Sequence, residues 1–425
     1  MTTEFRATES ERRSVDPTPA ARPLRVLIVD TAIAFGGTLS VSRNLLKHLD
    51  PRVVDASLVS ACADGFVSQG FAGNSDVRLL APKVDYVRLA KWKTAIRRRF
   101  RWHSVSRPIE VLAMVAELLA NTPYLIRLLY LYRRKRIDLV HVNNYAMEPL
   151  WAARLLHIPI VYHLHGLVSP SLDRSGRRNF HHVRAFISIS RAVTQSAIRA
   201  GISPTKIHEI PNFTEFEPDT LPPPMPTEPA IGIFGRVTNW KGQKEFLRAA
   251  MHVLPRFPAL KVYIVGDASD GDPRYFAECK SIARSSPWNA QIEFTGRVTD
   301  VASYYRKCTI VIHASIEPEP FGMVLIEAMA QARPVIASTF GAGAEIIQDG
   351  IEGFLINPND TQTMVNRICE LLANPALSAD MGVRGQCRVR DFYAPQSAAT
   401  RLQCLYKSVA DPRRITTESS VVSPK

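Results

Sequence analysis

The chain has 425 residues, 46% hydrophobic and 22% charged, enough apolar material for two or three ordinary globular cores. A net charge of +14 says nothing about fold, but it favours anionic partners such as phosphorylated ligands, an anionic membrane or nucleic acid. Six cysteines scattered without a C-x-x-C argue against a disulfide scaffold or a zinc ribbon, and no uncharged run is long enough to span a bilayer.

Residues 1–22 have no apolar core and read as a disordered tail, not a signal peptide. Leu24–Asp30 is a β-branched apolar run that predicts a buried strand. Phe35, Gly36, Gly37 and Thr38 follow, then a helix with Leu45, Leu46 and Leu49 on its apolar side. Strand, glycine turn and helix make a Rossmann-like unit, but the turn lacks G-x-G-x-x-G and so predicts no dinucleotide site. Further strands are predicted at 56–60, 138–143, 158–163 and 185–190, alternating with helices.

Residues 91–107 interleave Trp92, Phe100 and Trp102 with Lys91, Lys93, Arg97, Arg98, Arg99 and Arg101. A helix there would carry a cationic face. Residues 111–132 are apolar, but Glu117, Pro123 and Arg127 interrupt them and Arg133, Arg134, Lys135 and Arg136 close them. The pattern predicts a pair of helices lying on an anionic membrane, where each Lys or Arg contributes roughly 1 kcal/mol. A solvated basic face accounts for it as well. Single-stranded nucleic acid ranks lower, because the rest of the chain spells an enzyme, and no nucleic-acid partner is expected.

His163 and His165 fall on one side of a strand at period two, without the nearby third ligand a metal would need. Residues 207–212 close this half. Residues 217–229 are dense in proline and predict a stiff connector at a domain boundary.

A new strand begins at 230–235, followed by Arg236, Asn239, Lys241 and Gly242 and then a helix from about Gln243. The cations could be surface charges. Equally, an Arg and a Lys-Gly between a strand end and a helix suit a diphosphate, where each close charge pair gains ~4 kcal/mol before desolvation at an effective dielectric near 20. Strands follow at 261–266 and 291–296, the second ending in Thr295, Gly296, Arg297 and Val298. Asp270-Gly271-Asp272 between them matches a metal-binding D-x-D, but it lies in a polar loop, and Arg236 and Lys241 already supply the countercharge.

Residues 308–314 read as a buried strand, broken by Pro318, Pro320 and Gly322 before a helix with Val324, Leu325, Ala328 and Met329 on one face. Glu319 sits in the loop and Glu327 on the helix. The free N–H groups of Phe321, Gly322 and Met323 favour an anion. A carboxylate beside them repels phosphate and suits sugar hydroxyls. A second Gly-rich turn, Phe340 to Gly343 with Glu345, lets a helix start pack close and could also offer a phosphate contact, and a last helix is predicted at 397–409.

The segment E-P-F-G-x-x-L-I-E-A-M-A, Glu319 to Ala330, resembles the signature of the retaining glycosyltransferases of the GT-B fold, family four. F-G-R-x-x-x-x-K-G, Phe234 to Gly242, resembles that family's Arg/Lys pair for the donor pyrophosphate, and the likeness runs from Leu24 to about Val409. Pro211-Asn212-Phe213 departs from the family's usual Pro-Asn-Gly.

The resemblance implies an α/β fold of two Rossmann-like domains facing across a cleft. An acceptor domain would occupy 23–212, a linker 213–229, a nucleotide-sugar domain 230–390, a helix crossing back 391–410 and a tail 411–425. It implies catalytic roles for Glu319, His165, Arg236 and Lys241, with His165 reaching the donor sugar and its phosphates. Phe321, Gly322, Met323, Glu327, Gly36, Gly37, Arg297 and Val298 would bind the nucleotide sugar. No metal and no cofactor are expected, only a UDP- or GDP-sugar donor and a glycan or lipid-linked acceptor in cell-envelope polysaccharide or glycolipid synthesis. The expected location is cytoplasmic, at the inner face of the membrane. A nucleotide-sugar epimerase and a non-catalytic GT-B binding protein remain as alternatives.

Overall fold

The computed structural model describes residues 22–32, 37–61, 77–82, 103–143, 147–169, 180–214, 216, 221–268 and 272–411. Several expected features lie outside these residues: the tail before Arg22, Gly36, the basic stretch 91–102, Asp270 and Gly271, and the tail after Asp411.

Two parallel sheets organise the chain. The first contains β1 (Leu24–Asp30), β2 (Val54–Ser60), β3 (Val77–Leu79), β4 (Leu139–Val142), β5 (Ile160–Leu164), β6 (Ala185–Ser188) and β7 (Ile207–Glu209), in the order β3-β2-β1-β4-β5-β6-β7. The second contains β8 (Ala230–Phe234), β9 (Lys261–Val265), β10 (Ile292–Gly296), β11 (Ile310–His313), β12 (Val335–Ser338) and β13 (Gly353–Ile356), in the order β10-β9-β8-β11-β12-β13. Strands β4, β5, β6, β8, β11 and β12 are buried along their whole length. That is why they read as unbroken apolar runs: helices cover both faces of a parallel sheet.

Each strand order reverses once, between β1 and β4 and again between β8 and β11. In a doubly wound sheet, loops leaving the carboxyl ends of such a pair diverge to opposite faces and open a crevice. The loops after β8 and β11 are nonetheless drawn together. Gly242 has φ 74° and a Cβ there would collide with the Ala314 carbonyl, so the Lys241–Gly242 turn can press on the end of β11 only with glycine at that point.

Residues 103–134 form one helix, His103–Arg134, and Pro123 does not divide it. The helix runs through the division expected between 107 and 111, and packing carries it past Pro123. Tyr124, Leu128, Leu131 and Tyr132 are buried in the core beneath the helix, and Asn121 donates to Glu148 Oε1 at 2.9 Å from the adjacent helix Met147–Leu155. These contacts outweigh the backbone bond that proline removes. No described helix is long and apolar enough to cross a membrane.

The last helix, Pro395–Ala410, returns to the first sheet. Ala398, Ala399, Leu402, Leu405 and Tyr406 share a core with Val26, Ile28 and Leu45, and Gln403 Oε1 accepts from the Asp50 N–H at 2.7 Å.

Candidate active site

At the reversal of the second sheet, the Lys241 ammonium meets Glu319 Oε2 at 2.5 Å. The two residues lie 78 positions apart in the chain. Ser315 donates to the same oxygen at 3.1 Å, and His313 Nε2 lies 3.5 Å from it and 3.2 Å from Ser315 Oγ. The Lys241 ammonium also sits 4.2 Å over the Trp240 ring, whose residue accepts from the Ile316 N–H at 2.9 Å. The backbone of Glu319 is clamped in turn: its N–H donates to Phe340 at 3.2 Å and its carbonyl accepts from Ala342 at 2.9 Å. Gly341, with φ 94°, lies so close that a Cβ would strike the Glu319 backbone.

The Glu319 side chain is 10% exposed. Burial alone would push its carboxyl up. The charge of Lys241, with the hydrogen bond and charge of His313, outweighs that and holds Glu319 well below the usual carboxylate range. It is therefore a buried anion. Sequence reasoning assigned Lys241 to a diphosphate and Glu319 to a sugar, separately. The structure joins them, and an ammonium with three donors retains capacity after one contact.

The other expected residues divide into groups. Arg236 is exposed with no ion-pair partner among the described residues; only its carbonyl is engaged, accepting from Gln243 Nε2 at 3.0 Å. Gly322, at φ 108°, caps the helix Met323–Ala330. The Phe321 side chain is buried, 6.0 Å from the Tyr393 ring, so it belongs to the core and only its backbone can serve a ligand. Glu327 accepts from the Tyr305 hydroxyl at 2.8 Å, and Tyr305 stacks on Phe234 with centroids 4.1 Å apart. Arg297, exposed, and Val298, half-buried, follow edge strand β10. Gly37 begins the helix Gly37–His48. Asp272 caps the helix Pro273–Arg284, accepting from Arg274 and Tyr275 N–H at 3.0 and 3.2 Å, which gives that carboxylate a structural role.

In the first domain, the rings of His163 and His165 lie 3.9 Å apart. His165 Nε2 is 2.6 Å from Asn143 Oδ1. Desolvation holds the His165 imidazole down at about 3, so it is neutral. Behind it, His141 Nδ1 lies 2.5 Å from the Tyr406 hydroxyl.

Two contacts tie the domains together beside the Glu319 elbow. Ser190 Oγ donates to the Pro320 carbonyl at 2.7 Å. The Glu345 carboxylate accepts from the Arg191 and Ala192 N–H groups at 2.7 and 2.9 Å, capping the helix Arg191–Arg199. The Glu345 side chain thus forms a bridge between the domains, while the turn before it packs closely on β12, as expected, with Gly343 against the Ser338 carbonyl. Sequence reasoning missed Ser190, His313, Ser315, Asp30 and Asn143, and the bridging role of Glu345. A signal existed for His313 and Ser315, which extend the period-two alternation at the end of β11, and for Asp30, an acid closing an apolar strand.

Residues 35–217 match the family described as Glycosyltransferase Family 4, and residues 228–374 match Glycosyl transferases group 1. The chain belongs to glycosyltransferase family four. This family-four chain is 29% identical over 190 residues to the lipopolysaccharide core biosynthesis mannosyltransferase LpcC of Rhizobium leguminosarum bv. viciae, across 45% of this chain and 54% of that protein. It is 27% identical over 287 residues to the phosphatidyl-myo-inositol mannosyltransferase of Mycobacterium leprae, across 64% and 74%. The chain spans about half the length of curated relatives such as LpcC and the Rhizobium meliloti mannosyltransferase LpsB, at 54% and 53%. In fold it resembles Anabaena Alr3699/HepE in complex with UDP and glucose, with TM-score 0.73 and 21% identity over 91% of this chain and 100% of that one. Sucrose-phosphate synthase of Thermosynechococcus elongatus gives TM-score 0.67 and 19% identity over 91% and 98%. The family-four chain thus has the GT-B fold, two Rossmann-like domains.

Breaking the Lys241–Glu319 pair tests its electrostatics. Lys241→Met leaves a buried, uncompensated carboxylate and should cost about 3–5 kcal/mol at pH 7. A carboxyl held below its unfolded value stabilises the fold above that value and loses the contribution as pH falls. Wild type should therefore weaken between about pH 5 and pH 3, and the variant should weaken much less. Urea unfolding at pH 7 and pH 4 measures both, and identical acid sensitivity in the two proteins would contradict the assignment.

Proposed function

We propose that this protein transfers a sugar, with retention of configuration and without a metal, from a UDP- or GDP-sugar to a glycan or lipid-linked acceptor in cell-envelope polysaccharide or glycolipid synthesis. The observation that carries this reading is the Lys241–Glu319 contact at the strand reversal between β8 and β11. Arg236 stands exposed on the same loop as Lys241, and the Gly322–Met323 helix start on the same loop as Glu319. Cation, anion and amide donors are then available to one ligand carrying both phosphate and hydroxyl groups. The names of the relatives add lipopolysaccharide-core and phosphatidyl-myo-inositol mannosyl transfer, and the Anabaena neighbour was solved with UDP and glucose.

In this mechanism the bond between the anomeric carbon and the diphosphate lengthens first. Positive charge grows on the sugar ring and negative charge on the leaving phosphate. Arg236, Lys241 and the helix-start amides stabilise the departing oxygen. Glu319, ionised, accepts hydrogen bonds from the sugar hydroxyls as Lys241 turns part of its donor capacity to phosphate. Glu327 receives the ribose, and His165 steadies the sugar from the first domain. The acceptor hydroxyl attacks the face that the phosphate leaves, giving up its proton to that phosphate, so retention needs no protein nucleophile. Closing the domains over the donor excludes water and suppresses hydrolysis.

A panel of UDP- and GDP-sugars, with the anomeric configuration of the product read by NMR, tests the whole reading; conversion of donor without acceptor would favour an epimerase. Arg236→Ala should lower kcat by ~10²-fold with no loss of stability, because its side chain is exposed. Unchanged turnover would remove it from the leaving-group site. Glu319→Gln should abolish transfer while calorimetry still detects UDP or GDP binding. Loss of nucleotide binding instead would mean that Glu319 serves the nucleotide.

We further propose that the outer face of the helix His103–Arg134 rests on anionic lipid at the inner membrane surface. Leu112 and Leu119 are each 68% exposed, and Ile126 and Tyr130 are exposed in line with them. Arg127, Arg133 and Arg134 stand beside this stripe. A groove of about 500 Å³ is lined by Ile126, Leu129, Tyr130, Arg133 and Arg134. Apolar contact plus roughly 1 kcal/mol per cation suits an interfacial helix. The protein should co-sediment with anionic vesicles and be released by salt. No binding at low ionic strength would refute the proposal.

A further inference from the structure

At the strand reversal of the first sheet, Asp30 ends β1 and Asn143 follows β4. Both are buried, as is Ser42. Asn143 Nδ2 donates to Asp30 Oδ2 at 2.8 Å and to Ser42 Oγ at 2.6 Å. Ser42 Oγ donates to Asp30 Oδ2 at 3.1 Å, and the Ala32 N–H donates to Asp30 Oδ1 at 2.9 Å. A carboxylate can only accept, so the amide nitrogen of Asn143 must face Asp30 and its carbonyl must face away. That carbonyl lies 2.6 Å from His165 Nε2. Since a carbonyl cannot donate, Nε2 must carry the proton. On a neutral ring Nδ1 then carries only a lone pair.

We propose that Asp30 and Asn143 are positioning residues that lock His165 in its Nε2–H tautomer, so that His165 meets the donor as a hydrogen-bond acceptor through Nδ1. This rests on the reading above that His165 faces the donor sugar. It also narrows that reading. An acceptor nitrogen repels phosphate oxygens and takes the O–H of a sugar, so His165 sorts for a hydroxyl on the transferred ring and leaves the diphosphate to Arg236 and Lys241. The imidazole is held neutral by desolvation, and the equally desolvated His163 packs against it. Nδ1 has no partner among the described residues, which leaves its lone pair available.

Histidine-selective ¹⁵N labelling of the full-length protein reads the tautomer without any donor, with His165→Gln identifying the signal. Wild type should show a protonated Nε2 and an unprotonated Nδ1, and Asn143→Ala should average the two. In transfer assays Asn143→Ala should lower kcat about tenfold or more with the donor KM little changed, as misorientation in the transition state requires. The exchanged pair Asp30→Asn with Asn143→Asp keeps an oxygen facing Nε2 and should recover most of the loss. An Nδ1–H signal in wild type overturns the inference, and so does wild-type kcat in Asn143→Ala. If the variants fail to fold, the wild-type spectrum decides alone. Should the protein transfer no sugar from any donor, the spectrum still tests the lock while the function proposed above fails by itself.

Discussion

A carboxylate kept ionised although buried is the constraint around which the second domain is arranged. Placed alone where Glu319 sits, a glutamate would take up a proton, because burial penalises its charged form. Lys241 prevents that at 2.5 Å, helped by His313 and Ser315. Buried ion pairs add little net stability, since desolvation cancels much of the attraction. The arrangement makes better sense as a charge held ready for a ligand. It also explains two glycines: the loops must approach until Gly242 touches β11 and Gly341 touches Glu319, and a side chain at either point would force the pair apart.

The two domains use one geometric solution for different purposes. In each, an acidic group stands where the strand order reverses, and a residue from a neighbouring loop sets its chemistry. Lys241 keeps Glu319 charged; Asn143 carries the polarity of Asp30 outward to His165. Between them, Ser190 holds the Pro320 carbonyl and Glu345 caps a helix of the opposite domain. The acidic elbow is thus referenced to the first domain directly, one residue from the glutamate itself.

What was legible in the chain were the elements whose cause is local. Unbroken β-branched runs mark buried parallel strands, and all those anticipated are present within a residue or two of their observed ends. Helix His103–Arg134 joins what local reasoning divided between 107 and 111, and its intact passage through Pro123 depends on tertiary packing. The residues Lys241, Glu319 and Arg236 stood out by type and spacing, but a contact across 78 positions has no local trace. Helix caps leave little local trace as well: Asp272 imitates half of a metal motif, and nothing near Glu345 in sequence announces its partner helix, while both answer to unsatisfied helix amides. Phe321 shows the limit of transferring a motif letter by letter, since only its backbone faces outward from the core.

The final helix has a consequence for how the molecule comes into being. Leu402, Leu405 and Tyr406 join Leu39 and Leu45 of the helix Gly37–His48 over Val26 and Ile28, so this face of the first sheet is completed by a segment that follows the second domain. The opening domain therefore gains its last layer after its successor, whereas successive domains commonly finish in order. Its completion waits for the second domain to emerge, which couples the assembly of the two halves.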